Sequence, residues 1–327
     1  MPMPVFHYFL TGFAAASVLL NFAIILGILR HRKSNPILRG SYFGLIIFHG
    51  TADILLALET ALLMRGRKYR YLDFVLWEGN GLWYVLPWVT NGLNYYLKAV
   101  IYVGHILLSF NRFTSIFYSL KYETFWDSKL MNWVCVLAWI VPSFFYLPIV
   151  LNFNNEMWYS MGKRNETVRL LMDDGTTQLI SYIDGGLSFG ATVICLIFYI
   201  LSAVKISRQM IKHKMHKNQS MEIRLFISSL IQFSLLSLVT ANQVWTIVAS
   251  SQGKNDTVLW LYDLSYPVLD MLYSANPWIL CLTSSATRDA IRRLLLPLRN
   301  RVASVQVASS AFASSTASMM PQRPPPS

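Results

Sequence analysis

The sequence predicts an all-α membrane protein, a bundle of seven transmembrane helices, and three observations predict it. Hydrophobic residues make up 54% of the 327-residue chain and charged residues only 13%, a balance that soluble proteins of this size rarely show. Seven stretches reach the ~20 apolar residues needed to cross hydrocarbon as a helix that pairs its own backbone groups. The Lys and Arg residues behind the net charge of +12 cluster between those stretches rather than on a basic domain. That argues against nucleic acid as a partner and for loops at a membrane surface.

The first stretch, Phe6 to Leu29, lacks a basic n-region and is too long for a cleaved leader, so it is read as a retained anchor. The second is Ser41 to Met64, the third Leu82 to Phe110 and the fourth Leu130 to Leu151. The fifth, sixth and seventh are Ser181 to Val204, Leu225 to Ala249 and Trp260 to Ser284. Pro277 inside the seventh removes one backbone bond and permits a hinge there; Pro142, Pro148 and Pro267 are read as plain kinks. After the seventh, Ile291, Leu294, Leu295 and Leu298 oppose Arg292, Arg293 and Arg299, which predicts an amphipathic helix within residues 285–301 on anionic lipid. Residues 302–327 are Ser/Ala-rich and end in "PQRPPPS", a composition that predicts a disordered tail. Nothing suggests a separate soluble domain.

With the N-terminus outside, nineteen Lys and Arg fall in cytoplasmic segments against eight outside, so the positive-inside bias favours N-out, C-in. "RGRKYR" (Arg65 to Arg70) dissents, placing four cations outside. Of three acceptor sequons, those at Asn165 and Asn255 fall in expected outer loops, where glycosylation is expected, and that at Asn218 in an inner one. Cys135, Cys195 and Cys281 all lie within expected helices, so no outer-loop disulfide is expected.

The polar residues within the membrane carry the functional reading, because ionisable groups in hydrocarbon are costly and usually face the bundle interior. In the third helix Asn91, Lys98, His105 and Arg112 recur every seven residues, with Tyr95, Tyr102 and Ser109 four after the first three. Seven residues are nearly two turns, so the set forms one slowly drifting stripe. His105 reads either as a hydrogen-bonded core histidine or as part of a switch. Lys98 lies about 21 Å from Arg112 by helical rise, too deep to reach either interface, and needs an anionic partner or an anionic ligand. By depth Asp270 is the expected partner, the two lining or closing a ligand cavity with Tyr95, Tyr102, Asn242 and Gln243 nearby. Lower down, Asn21, Asp53 and Asn276 lie at similar depth; a buried carboxylate needs donors, which asparagine amides supply. The group is either a structural polar knot or part of a switch. His49 and Asp53, one turn apart in "HGTAD", have a spacing that suits a metal or acid/base pair, but no further histidines cluster with them. With no Gly-rich phosphate loop, GxSxG elbow or paired-cysteine motif, neither an enzyme nor a cofactor is expected.

An asparagine in the first helix, an aspartate in the second, an arginine ending the third and "NP" (Asn276, Pro277) in the seventh together resemble a G-protein-coupled receptor. The stretch "NRFTSIFYSLKYETFWDSKL" (Asn111 to Leu130) is similar to the "NR-T … YE--W" signature of nematode serpentine chemoreceptors of the Srg superfamily, class gamma or its sibling class V. The resemblance covers about residues 6–300. It implies a chemosensory receptor domain at 1–301 that binds an external small molecule and activates a heterotrimeric G protein through the inner ends of helices three, five and six. It also implies a multi-pass place in the plasma membrane of a sensory neuron cilium. Asn111, Arg112, Asp53, Asn21, Asn276 and Pro277 would then belong to the switch. The sequence departs from the general receptor pattern where Asn111 replaces the acid beside Arg112 and Leu280 the tyrosine of NPxxY.

A seven-helix ligand-gated channel or a transporter is the rival class. Transporters show repeated halves with broken helices, of which the sequence has no matching pair; a channel needs a continuous polar pore, whereas this stripe is rich in tyrosine and asparagine.

Overall fold

The computed structural model describes residues 5–74, 81–118, 120–152, 156–161, 167–211 and 219–295. Its long helices are α1 (Val5–His31), α2 (Ser41–Lys68), α3 (Gly81–Phe117), α4 (Ser128–Leu151), α5 (Asp174–Ile211), α6 (Gln219–Ser251) and α7 (Asn255–Thr283). A hairpin of β1 (Met157–Met161) and β2 (Val168–Met172) joins α4 to α5, and a short helix α8 covers 285–295. Helices α1 to α6 are apolar enough to cross a membrane on composition alone. α7 has the length but carries Asp263 and Asp270, and both find cations.

Helix α3 is the central post, packed against α2, α4, α5 and α6, while α1 fits between α2 and α7. Leu97, Val100, Ile101 and Tyr102 fill the middle of the bundle with Ala52, Leu56, Leu236, Val239 and Tyr273. A second apolar cluster closes the Arg112 end, where Ile24, Ile28, Tyr42, Leu108, Trp126 and Leu280 meet Ala286 and Ala290 of α8. α8 is anchored by Arg288, whose Nη1 donates to the carbonyls of Cys281 and Leu282 at 2.8 and 3.0 Å. The outward faces remain apolar, as Trp133, Phe144 and Leu147 on α4 illustrate, which is what lipid contact requires.

Several elements run past their expected ends. α3 continues seven residues beyond Phe110 because Asn111, Arg112, Thr114 and Ser115 are all buried and bonded there. α5 starts at Asp174, seven residues before Ser181, with Asp173 Oδ1 accepting the Thr176 N–H at 2.9 Å as its cap. Asn255, expected in a loop, is the first residue of α7. Asn165, Asn218, Pro297 and the 302–327 tail lie outside the described residues.

Two features were not expected at all. Within α2 the segment Thr60–Arg65 is a π turn, which widens the helix and re-aims the residues beyond it; Arg65 and Arg67, expected on a loop, are 2% and 4% exposed. The hairpin pairs Met157 with Met172 and Met161 with Val168 in antiparallel register. Its buried face sets Tyr159 and Val168 against Trp83 of α3, and Met157 against Tyr146, Ile149 and Ile180.

Candidate functional site

Buried polar side chains form three tiers along α3. At its C-terminal end Arg112 is 2% exposed. Its Nη2 donates to Asn111 Oδ1 at 2.9 Å, and its guanidinium carbon lies 3.9 Å from the Tyr42 ring centroid, a cation–π stack of the kind arginine favours. Asn111 Nδ2 donates to Ser41 Oγ at 3.1 Å, while Asn111 Oδ1 also accepts the Tyr122 hydroxyl at 2.9 Å. Trp126 Nε1 donates to Thr114 Oγ1 at 2.8 Å. The residues of the "NR-T … YE--W" pattern therefore hold one another: Asn111 with Arg112 and Tyr122, Thr114 with Trp126. Their spacing is the distance the chain needs to leave α3, turn, and return its aromatic side chains to the same helix end.

The middle tier ties five helices together. Asp53 Oδ2 accepts from Asn276 Nδ2 at 2.9 Å and lies 3.1 Å from His49 Nδ1, while Asn276 Oδ1 accepts from Gln232 Nε2 of α6. Asn21 was expected to serve the carboxylate; its Nδ2 instead donates to the Gly50 carbonyl at 3.1 Å. A Cβ on Gly50 would stand 2.6 Å from Asn21 Oδ1, and one on Gly104 2.6 Å from the Cδ2 of His49. Both contacts are closer than any side chain permits, so glycine here lets α1, α2 and α3 approach. His49 and His105 meet edge to face with centroids 4.7 Å apart. Pro277 follows Asn276 within a helix that continues to Thr283, and Trp278 Nε1 reaches Ser17 of α1 at 2.8 Å. A narrow crevice between α1, α2 and α7, lined in part by Ser17, Asn21, Asp53 and Tyr273, is too tight to admit a small molecule.

The third tier, at the hairpin end, corrects the expected pairing of Lys98 with Asp270. Lys98 Nζ bonds Asp184 of α5, and Asp270 is bonded by Arg65 Nη2 and the Tyr273 hydroxyl. Depth along the helices had matched Lys98 to Asp270, but α3 turns this face toward α5. Tyr95 lies with its ring centroid 4.4 Å from Lys98 Nζ, and Tyr102, Tyr146 and Tyr262 interact with Asp184. Lys98, Tyr95 and Tyr102 thus come together as expected; Asp270 belongs to a separate α2–α7 pair. Asn242 is buried and Gln243 half-buried on α6, and among the described residues neither bonds to either pair. Both ion pairs are almost wholly buried, with side-chain exposures of 3% and 0% in each, where breaking one partner is far costlier than the pair is worth. Beside them Glu59 Oε2 accepts from Asn94 at 2.8 Å, and Asn91 Nδ2 reaches the sulfurs of Met157 and Met172 at 3.4 and 3.3 Å.

The family model for the serpentine type seven-transmembrane G-protein-coupled chemoreceptor Srv matches residues 10–296. The chain belongs to the Srv family. Serpentine receptor class V-1 of Caenorhabditis elegans is similar to this Srv protein, 23% identical over 270 residues, which cover 80% of this chain and 82% of that one. Of the two expected classes, gamma and V, the match selects class V. Srv proteins are receptors and not enzymes, and the apolar helices make this one a multi-pass membrane protein.

Sequence reasoning missed Asp184, Arg65, Gln232 and the Tyr42 face of this Srv receptor. Asp184 sits inside the fifth apolar stretch, and an acid there with no assigned cation was the available signal. Arg65 was counted as a loop cation because no sequence feature announced the π turn that carries it inward.

Proposed function

We propose that this Srv receptor binds an external small-molecule cue at the hairpin end of the bundle and activates a heterotrimeric G protein at the Arg112 end. The observation that carries the reading is the α3 stripe. Asn91, Lys98, Tyr102, His105, Ser109 and Arg112 are buried in unbroken succession, Tyr95 is half-buried, and the stripe touches each polar tier. A cue that alters the Lys98–Asp184 or Arg65–Asp270 pair, each joining two helices, would favour one helix arrangement over another. Such differential affinity is what a switch requires.

The orientation that fits is N-terminus out. The "RGRKYR" cations that argued otherwise meet Asp270, Asp263 and Asp73 or the Tyr159 ring, so they contribute little free positive charge on that side. The basic segment between α5 and α6 and the arginines of α8 then face the G protein and anionic lipid, and Asn165 and Asn255 are on the glycosylated side. The site of action is the plasma membrane of a sensory neuron cilium. The test is a screen of water-soluble and volatile cues on cells expressing the full chain, reading a second messenger. The expected result is a dose response that Arg112→Ala abolishes at equal surface expression; a cue-evoked current in cells lacking G protein would replace this reading with a channel.

A further inference from the structure

At the hairpin end, α2, α3 and β1 bring together a cluster of buried polar side chains whose strongest groups are not paired with each other. Glu59 and Arg67 of α2 are each 4% exposed. Arg67 presents its guanidinium carbon 5.1 Å from the Tyr159 ring centroid, and among the described residues its Nε and Nη1 have no hydrogen-bond partner. Glu59 accepts from Asn94 and Thr60 on Oε2, at 2.8 and 3.5 Å, but its Oε1 has no partner among the described residues. The two residues interact electrostatically without reaching ion-pair distance, whereas Lys98 and Arg65 each hold a carboxylate directly. Between them lie the Thr90 hydroxyl, bonded to the Tyr159 hydroxyl at 3.1 Å, and the Asn94 amide. A buried cation and a buried anion left apart are expensive, because each keeps its desolvation penalty and neither gains the other's full attraction.

We propose that this cluster, opening with the helices around it, receives the charged ends of a small zwitterion, an α-amino acid or close relative. Its carboxylate would be held by the Arg67 guanidinium and its ammonium by Glu59 Oε1, with Thr90 and Asn94 as flanking hydrogen-bonding groups. Charge-assisted bonds at both ends would complete the donors and acceptor that the receptor leaves open. A cue with only one charge would leave the opposite group stranded, so the cluster discriminates against simple amines and simple carboxylates. The π turn supplies the geometry: it turns Arg67 to the buried face that carries Glu59, about two turns away. The proposal rests on the reading of the hairpin end as the ligand-binding end.

The test uses the full chain, purified into lipid nanodiscs, with thermal unfolding followed as the common α-amino acids are added one at a time. Matched des-amino carboxylates, decarboxylated amines and sodium chloride serve as comparisons. At least one amino acid is expected to raise Tm in a saturable way, more than its amine or carboxylate counterpart does. Arg67→Gln should remove the shift, Arg67→Lys should weaken it, and Glu59→Gln should bring the amino acid down to the level of its des-amino counterpart. No saturable shift with any amino acid in the wild-type chain, or a shift that Arg67→Lys and Glu59→Gln leave intact, overturns the proposal. Should Arg67→Gln fail to fold, the other two substitutions still decide. A Tm shift without a second-messenger response in cells would retain the site and reject the signalling reading; a response to another cue, unaffected by Glu59→Gln, would do the reverse.

Discussion

The side chain most altered by the structure is Lys98, because its partner determines what substitution there does. Lys98→Ala leaves Asp184 charged, 0% exposed and unpaired, which should destabilise the receptor by about 3–5 kcal/mol. Lys98→Met with Asp184→Leu removes both charges and should recover most of that loss, as read by thermal unfolding in detergent. If the pair also senses the cue, the double variant folds and stays silent in the second-messenger assay; full recovery of the response would confine the pair to a structural role. The need for an acid near Lys98 was legible from its depth alone. Which acid was not: depth pointed to Asp270, whereas Asp184 lies only three residues into the fifth apolar stretch and meets Lys98 through the packing of α3 on α5. Arg112 has the opposite history: its missing acidic neighbour was plain in the sequence, but not that Asn111 itself bonds the guanidinium while Tyr42 covers it. Asn111→Asp would turn that ion–dipole hydrogen bond into a buried ion pair with the guanidinium, a stronger contact. Basal second-messenger output should therefore fall, and an unchanged output would show that this contact does not hold the resting state.

Among the elements, the hairpin does what no cysteine in this chain can do, tying the segment between α4 and α5 to α3. The tie consists of Tyr159 on Thr90 and Trp83, and Met157 and Met172 on Asn91. Tyr159→Phe keeps the edge-to-face contact with Trp83 but strips Thr90 of its 3.1 Å bond, a loss of ~1 kcal/mol; Tyr159→Ala also empties the Trp83 contact and should cost several times more, both measured as shifts in Tm. The junction with α5 depends on Asp173, whose carboxylate accepts from Thr176 and from the Glu156 N–H. The Thr176 hydroxyl first, and then these backbone donors, hold its pKa below the ordinary 3.8. A depressed carboxylate stabilises the fold above its ordinary pKa and loses that contribution as pH falls through the lowered value. Methyl resonances of Met157 and Met172 should hold their positions down to about pH 4 and shift only in more acid solution, while Asp173→Asn should remove that acid transition. The seven apolar helices were readable from hydropathy because lipid imposes a minimum length and forbids unpaired backbone. The hairpin was not: its strands are five residues each, and their buried face exists only against the assembled α3, α4 and α5.

At the scale of the whole molecule, the three tiers are linked through α3, and the middle tier is the narrowest link. Asn21, Asp53 and Asn276 were legible as a set because polar residues at equal depth in apolar helices are conspicuous. Gln232 and the facing of His49 on His105 became visible only with the helices assembled. Gly104 is, with Gly50, one of the two closest approaches in that tier. A methyl group there would come 2.6 Å from the His49 ring, and the ring can yield only by swinging out of the 3.1 Å contact with Asp53. Asp53 would keep Asn276 but lose His49, the residue through which α2 meets His105 of α3, so Gly104→Ala should loosen the coupling between the two ends without touching either. The expected outcome is a cue that still raises the receptor's Tm but whose second-messenger response is reduced or constitutive. Distance measurements between spin labels on the inner ends of α3 and α6 should then no longer change with the cue. If cue-dependent distances and signalling both stayed normal in a folded Gly104→Ala receptor, the histidine–aspartate contact would be packing alone, and transmission would have to run through the α5 side of α3, where Ser109 meets Cys195 at 3.4 Å.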